Sequence, residues 1–594
     1  MKTKNLLLGA LAMLALSACS DDKSAAPDLD YSKTAFIRVN FLGNSALGRA
    51  EDDTDVLDDS DFQDGTVDEN EIQSALLAFY DAYGNFLTSA PVTKANITNT
   101  PQPNDPNISV IKTVETTISL KEGKIPSYMM VYANPVTSLA AINWSLNELK
   151  SSTITTSLTQ VTGDDNSSKT LIAMNNAVYF NDKKVLQRAV EVSRANFYQT
   201  EDEKKTAEAV DVYLERVAAK VTLTQADNLK GHTGTIDGKK LTFHITGWGI
   251  NALAKKCYVT KRFNDREYDN IDLSFFWNDP DRCRSYWAMS PHYNDGTYPF
   301  VSDQVGDVNN QENNSYSLKY RPFKNMNRAA GSYVYALENT VFGSYYNGGD
   351  GKVNANAALA SVVIAGYYSL GDATEGTTFY LYGSKLYDQP NLIRELAKQG
   401  AVVVKKIGEK DGVNEYTTLS DEDAAAIFEI YHPTTPAVGD EKKGVEENNV
   451  TIRFKTSATN SNTVYYYKNG NSEAQLITTD NRATVNKEIQ ANTGHAIAYT
   501  DGKAYFSVPI RHLAAEPAEG GAWSNGSFGL VRNHHYLVNI EAFAPLSETN
   551  LGHGVFDPEK PIVPPSDPND EFGVKANIKV LSWRIVNQNV TLGD

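Results

Sequence analysis

Cysteine is scarce in this chain, three in 594 residues, so the fold is not a small loop-rich scaffold stapled by disulfides. Basic residues are outnumbered as well, 55 Lys and Arg against 73 Asp and Glu for a net charge of −18. Phosphate binding rests on basic neutralisation, so that balance argues against nucleic acid as a partner, and it is equally unsuited to an anionic lipid surface. The nine histidines are scattered, without the H-E-x-x-H or paired Cys/His spacing that a zinc site uses. There is no strand–GxGxxG–helix context and no GxSxG elbow, which leaves phosphate cradles and hydrolase nucleophiles unsupported. Neither a cofactor, a metal ligand set nor a catalytic residue is expected.

Tyrosine is abundant, 32 copies beside 22 Phe and 6 Trp, and a ring with one dry and one wet end suits a half-buried pleated surface. The length exceeds what one hydrophobic core supports, so two large domains are the default. In "TAFIRVNF" the residues Ala35, Ile37, Val39 and Phe41 alternate with others, the period of a strand with one face in a core. The stretch from Gly43 to Gly65 has no apolar periodicity, and 11 of the 21 residues from Glu51 to Glu71 are acidic, which predicts a solvated loop. "IQSALLAFYDAYGNFL" reads as further strand with a Gly84-Asn85 turn.

The pattern restarts at "VYLERVAAKVTLT", Val212 to Thr224, followed by "DGKKLTFHITGWGIN", a turn and a strand ending in a Gly-punctuated bend. This places a second domain near Asp211. Short runs rich in Val, Tyr, Phe and Thr follow, with helices expected at "QPNLIRELAKQGA", "SDEDAAAIFEIY" and, more weakly, "WSLNELKSS". The reading is all-β, a pair of sandwiches with a few short helices in the connections. "DPEKPIVPPSDP" should form a semi-rigid polyproline II arm, and "NIKVLSWRIVNQNVTLGD" is strongly β-prone up to the last residue.

At the other end, Lys2 and Lys4 precede an apolar run from Leu6 to Leu16 that is too short to span a bilayer, the layout of a secretory signal peptide. It ends Leu16-Ser17-Ala18-Cys19, which resembles the bacterial lipobox, so Cys19 is expected to carry acyl chains. Ser20-Asp21-Asp22 looks like an acidic surface-export tag. Cys257 and Cys283 could pair or remain buried thiols.

Six stretches in order, "LERVAAKVTL", "GWGINALAKKCYVTK", "YVYALENT", "YFSVPIRHL", "LVRNHHYLVNI" and "VLSWRIVNQNVTL", resemble the fimbrillins, the type V pilins of Bacteroidales, and most closely their short-fimbria shaft subunits. The resemblance implies two transthyretin-like β-sandwich domains, export as an outer-membrane lipoprotein, and cleavage by an Arg-specific surface protease at Arg49-Ala50. Cleavage removes the strand of Ala35, Ile37, Val39 and Phe41, and a neighbouring copy fills the groove with a terminal strand presenting Val586, Val590 and Leu592. The division is then 1–18 lipoprotein signal peptide, 19–49 propeptide with the removable strand, 50–210 N-terminal sandwich, 211–556 C-terminal sandwich, and 557–594 proline-rich arm with donor strand. The implied partners are other copies in a filament, anchor and tip subunits, the protease, and a lipid anchor before cleavage. Loss of residues 1–49 removes six basic and four acidic residues and takes the net charge from −18 to −20. The place of work is a cell-surface fimbrium, in adhesion and biofilm formation. An accessory or tip subunit of the same family, or a glycan-binding surface lipoprotein, is the alternative.

Three features have plainer readings. Arg194-Ala195 is a second Arg-Ala step, closely flanked by apolar residues. An EF-hand spacing around Gly65 puts Ser60 and Phe62 where oxygen ligands are needed, which favours a solvated acidic loop over calcium. His534-His535, adjacent on a strand, point to opposite faces and read as structural.

Overall fold

A computed structural model describes residues 29–583 apart from internal stretches, the longest being 44–61, 263–287, 292–317, 341–358, 433–447, 513–527 and 563–573. Strands dominate the described residues, joined by a few short helices.

The first sheet runs Phe86–Thr93, Ser74–Tyr80, Tyr128–Ala133, Met174–Asn176, Val210–Arg216, Thr34–Gly43, Val110–Ser119, Ile97–Thr100. It curls until Phe86–Thr93 meets Val110–Ser119, because alternate residues of every strand need the same dry interior. Ala35, Ile37, Val39, Phe41, Leu77, Phe79, Val114, Val131 and Val212 all lie in that one core. Ser74–Tyr80 is buried on both faces, since Leu76, Ala78 and Tyr80 point into a second core shared with Cys257, Val259, Leu337 and Phe528 from later in the chain.

Two five-stranded sheets, built from strands after Arg216 except for Phe62–Gln63, face each other. One is Phe62–Gln63, Val574–Trp583, His534–Phe543, Ala219–Gln225, Tyr333–Ala336; the other is Thr233–Ile236, Lys239–Asn251, Ser361–Leu370, Lys503–Pro509, His553–Gly554. Val221, Trp248, Ile364, Phe506, Tyr536 and Val538 interdigitate between them. The hairpin at Ile236–Lys239 turns on Asp237 and Gly238, both at positive φ (51° and 73°), the two-residue turn whose twist matches its strands.

Two expectations differ in detail. Val212 to Thr224 is not one strand: Val210–Arg216 lies in the first sheet and Ala219–Gln225 in the second sandwich. The crossing is fixed by its backbone, since the Val217 amide donates to the Ala173 carbonyl while the Ala218 carbonyl accepts from the Asn533 amide. Nor does the strand after the Asp237 turn end at Gly247-Trp248-Gly249; it continues to Asn251 through a bulge between Ile245 and Gly247. A Cβ on Gly247 would lie 2.8 Å from the Asn327 Cα, so glycine is what lets that segment pack across the strand.

Residues 379–499 build a further unit. Helices Gln389–Gly400, Asp421–Ile427 and Arg482–Thr493 pack beside two small sheets around Leu392, Leu396, Phe428, Ile452, Val485 and Ile489. Gln389–Gly400 matches the sequence expectation; Asp421–Ile427, capped by the Ser420 hydroxyl accepting from the Asp423 amide at 3.1 Å, matches it only in part, because Phe428–Tyr431 of the expected helix is a strand paired with Asn449–Phe454. Arg482–Thr493 was not anticipated: it has no side-chain cap and an interrupted apolar spacing.

Candidate functional site

The first strand, Thr34–Gly43, is inserted rather than appended. It pairs antiparallel with Val110–Ser119 along its whole length, from Thr34 opposite Ser119 to Gly43 opposite Val110. Its other edge pairs parallel with Val210–Arg216, from Val39 opposite Val210 to Leu42 opposite Tyr213, and antiparallel with Phe197–Tyr198. Ala35, Ile37 and Val39 are 0% exposed and Phe41 1%. Ten residues of strand cover ~33 Å, and each large apolar side chain buried this way is worth ~1.5–3 kcal/mol.

The outward face mixes polar residues with Phe36 and is clasped to its neighbours. The Asn40 amide donates to Asp211 Oδ1 at 2.8 Å and its oxygen accepts from the Thr113 hydroxyl at 3.0 Å. Phe36 stacks on Tyr198 at 5.6 Å between centroids. Just before the strand, Asp30 and Gln199 exchange two 2.8 Å hydrogen bonds, and Leu29 is buried in the same core.

Other expected site residues fall elsewhere. Cys19, Arg49, Ala50, Val586, Val590 and Leu592 lie outside the described residues, as does Cys283. Cys257 is buried and forms no disulfide among the described residues; burial pushes its thiol up to about 12. The alternative cleavage residue Arg194 is engaged, donating to Glu203 Oε1 at 3.0 Å and to the Phe197 carbonyl at 2.6 Å.

The terminal strand has partners in its own chain. Val574–Trp583 pairs antiparallel with His534–Phe543 and, at its far end, parallel with Phe62–Gln63. The proline-rich segment is likewise no free arm at its start: Ile562 is buried, its amide donates to the Arg321 carbonyl at 2.9 Å, its carbonyl accepts from the Asn251 amide at 2.8 Å, and Glu559 pairs with Lys324. Prolines cannot donate to a ladder, so the non-proline Ile562 fixes this stretch.

The acidic stretch is not uniformly solvated either. Glu69 is 2% exposed, with Lys220 Nζ at 2.8 Å and the Tyr335 hydroxyl donating at 2.5 Å. Burial alone would push its carboxyl up, but the hydrogen bonds from Lys220, Tyr335 and the Thr66 amide, with the Lys220 charge, hold it below the usual range. Asp68 and Glu71, positions of the EF-hand spacing, both pair with Lys169. Charge density along the sequence does not disclose this cluster, because Lys169 and Lys220, which pair with the carboxylates, are remote in sequence.

His534 and His535 are both buried on opposite faces. His535 Nε2 lies 2.8 Å from the Thr222 hydroxyl and His534 Nδ1 2.8 Å from the Arg532 carbonyl. Arg532 is itself fully buried on Glu338, at 3.1 Å.

Residues 497–589 match the family model described as major fimbrial subunit protein type IV, fimbrillin, C-terminal. Over these residues the chain is similar to the C-terminal part of fimbrillins. The fimbrillin match takes in Lys503–Pro509, His534–Phe543 and Val574–Trp583, strands of both sheets of the second sandwich.

Among solved structures, a fimbrillin from Porphyromonas gingivalis aligns at 13% identity, covering 93% of this chain and 98% of its own, with a TM-score of 0.35. The tip fimbrial protein Mfa3 from the same organism, truncated at its C-terminus, aligns at 9% identity over 93% and 100%, TM-score 0.31. A Parabacteroides distasonis protein described as a cell adhesion protein aligns at 10% identity over 93% and 99%, TM-score 0.34. Scores this low establish no shared arrangement. A sequence comparison with curated proteins finds no match.

Proposed function

We propose that the chain is a shaft subunit of a cell-surface fimbrium, exported as a lipoprotein on Cys19, cut after Arg49, and polymerised by strand exchange. The observation that carries this reading is the seat of Thr34–Gly43: a strand preceding the cleavage step, flanked on both edges, with Ala35, Ile37, Val39 and Phe41 buried. Taking it out leaves two unpaired edges and an apolar slot, an aggregation hazard unless another chain supplies a strand. A terminal segment with Val586, Val590 and Leu592 at even spacing is suited to fill it. Contacts of this kind repeat head to tail and give an open filament.

Ile562 and the Val574–Trp583 ladder anchor the chain close to that donor segment. Residues 584–594, which hold Val586, Val590 and Leu592, would span ~36 Å if extended, long enough for a donor strand. Anchor and tip subunits and an Arg-specific protease complete the assembly, with roles in adhesion and biofilm formation. Replacing Arg49 by Ala tests the reading: lipidated monomers are expected, and normal filaments from that variant would overturn it.

A further inference from the structure

Three buried residues that filament assembly does not use meet where the first sheet joins the rest of the chain. Asn175, on Met174–Asn176, stands directly opposite Glu215, on Val210–Arg216, and such a pair shares one face of the sheet. Lys261 enters from a remote segment, with Nζ 3.7 Å from Glu215 Oε2. Asn175 and Glu215 are 1% exposed and Lys261 0%.

The asparagine amide is held against the lysine's segment, its Nδ2 donating to the carbonyl of Val259, two residues before Lys261. That carbonyl also accepts from Arg532 Nη1 at 2.9 Å, which fixes its position. Asn175 Oδ1 makes no hydrogen bond among the described residues. A buried amide oxygen without a partner is costly and calls for an explanation. Apolar Ala173, Val217, Cys257 and Val259 belong to the surrounding core.

The geometry points to a self-formed amide cross-link between Lys261 Nζ and Asn175 Cγ, with Glu215 as the proton carrier. Both charges of the Lys261–Glu215 pair are costly in this interior, and transfer of one proton from Nζ to the carboxylate removes them and frees the amine lone pair. The amine attacks Cγ, and a second Nζ proton passes through the Glu215 carboxyl to the departing Nδ2. The Cγ–Nζ bond forms, the Cγ–Nδ2 bond breaks, and the nitrogen leaves as ammonia. No oxidant, reductant or co-reactant is needed. The link ties the first sheet to the segment after Cys257–Tyr258 in a way that thiols do not reverse.

The test is mass spectrometry of the folded full chain. The expected mass is lower than the covalent mass of the otherwise identical, unlinked chain by one ammonia. After denaturation and trypsin, cleavage after Lys261 is missing and a branched peptide joins the segments holding positions 175 and 261. Glu215→Gln and Asn175→Ala should restore both the full mass and cleavage at Lys261. An unlinked mass in the wild-type chain, or a Lys261 open to trypsin, overturns the proposal whether or not the variants fold.

Discussion

Glu69 Oε1 lies 2.8 Å from Lys220 Nζ, and the two side chains are 2% and 7% exposed. Glu69 precedes Ser74–Tyr80 of the first sheet, whereas Lys220 is on a strand of the second sandwich. One buried ion pair therefore bridges the two halves. Glu69→Ala should cost ~3–5 kcal/mol, because it removes the buried carboxylate that the Lys220 charge and the Tyr335 hydroxyl both engage. The double variant Glu69→Gln, Lys220→Met should recover most of that loss. Chemical denaturation of the wild type, Glu69→Gln, Lys220→Met and their double variant closes a double-mutant cycle, and a fully additive cycle would remove the bridge from the account.

Phe41→Ala should destabilise the uncleaved chain by ~3–5 kcal/mol, the usual cost of deleting a buried aromatic side chain. Phe41 is 1% exposed in the core that holds Ile37, Val39, Val114 and Val212. An unchanged denaturation midpoint would mean that Thr34–Gly43 contributes little to the uncleaved fold.

Acid should weaken the protein before its carboxylates titrate. Burial lowers His535 to about 4 and His553 to about 3, and it lowers His232 and His534 as well. Each is neutral when folded and takes a proton when unfolded, so its contribution is intact above the unfolded value of ~6.5 and is lost as pH falls toward the folded value. The slope is ~1.4 kcal/mol per pH unit for each group. Carboxylates such as Glu69 and Glu71, held below their usual range, add to the loss only at lower pH. Denaturant midpoints should be level from pH 8 to 7 and fall between pH 6.5 and 4.5; a flat profile over the second window would contradict the burial assigned to these rings.

The strands were legible where burial has a period. Ala35, Ile37, Val39 and Phe41 announce one dry face, and Asp237-Gly238 announces its turn, because both signals are local. What was not legible depends on remote partners. Nothing near Glu69 in sequence names Lys220 or Tyr335, and nothing near Ile562 names Asn251 and Arg321. The unit at 379–499 escaped notice because its strands, such as Phe379–Tyr382 and Ala496–Tyr499, read like any other short β-runs, while the helix Arg482–Thr493 lacks a cap.

Deleting Val586 to Asp594 should spare folding, since the ladder between Val574–Trp583 and His534–Phe543 stays whole, yet stop filament growth. Deleting from Val574 onward should instead destabilise the second sandwich by stripping one edge of His534–Phe543. Electron microscopy of filaments together with thermal denaturation separates the two effects. Filaments of ordinary length from the shorter deletion would rule out the donor role.

The exchange of the first strand is tested most directly by the N-terminal residue of the subunit in purified filaments, read by mass spectrometry. A chain beginning at Ala50, with no peptide from Thr34–Gly43 present, is the predicted result. Assembled subunits that begin at acylated Cys19 and retain that strand would contradict it.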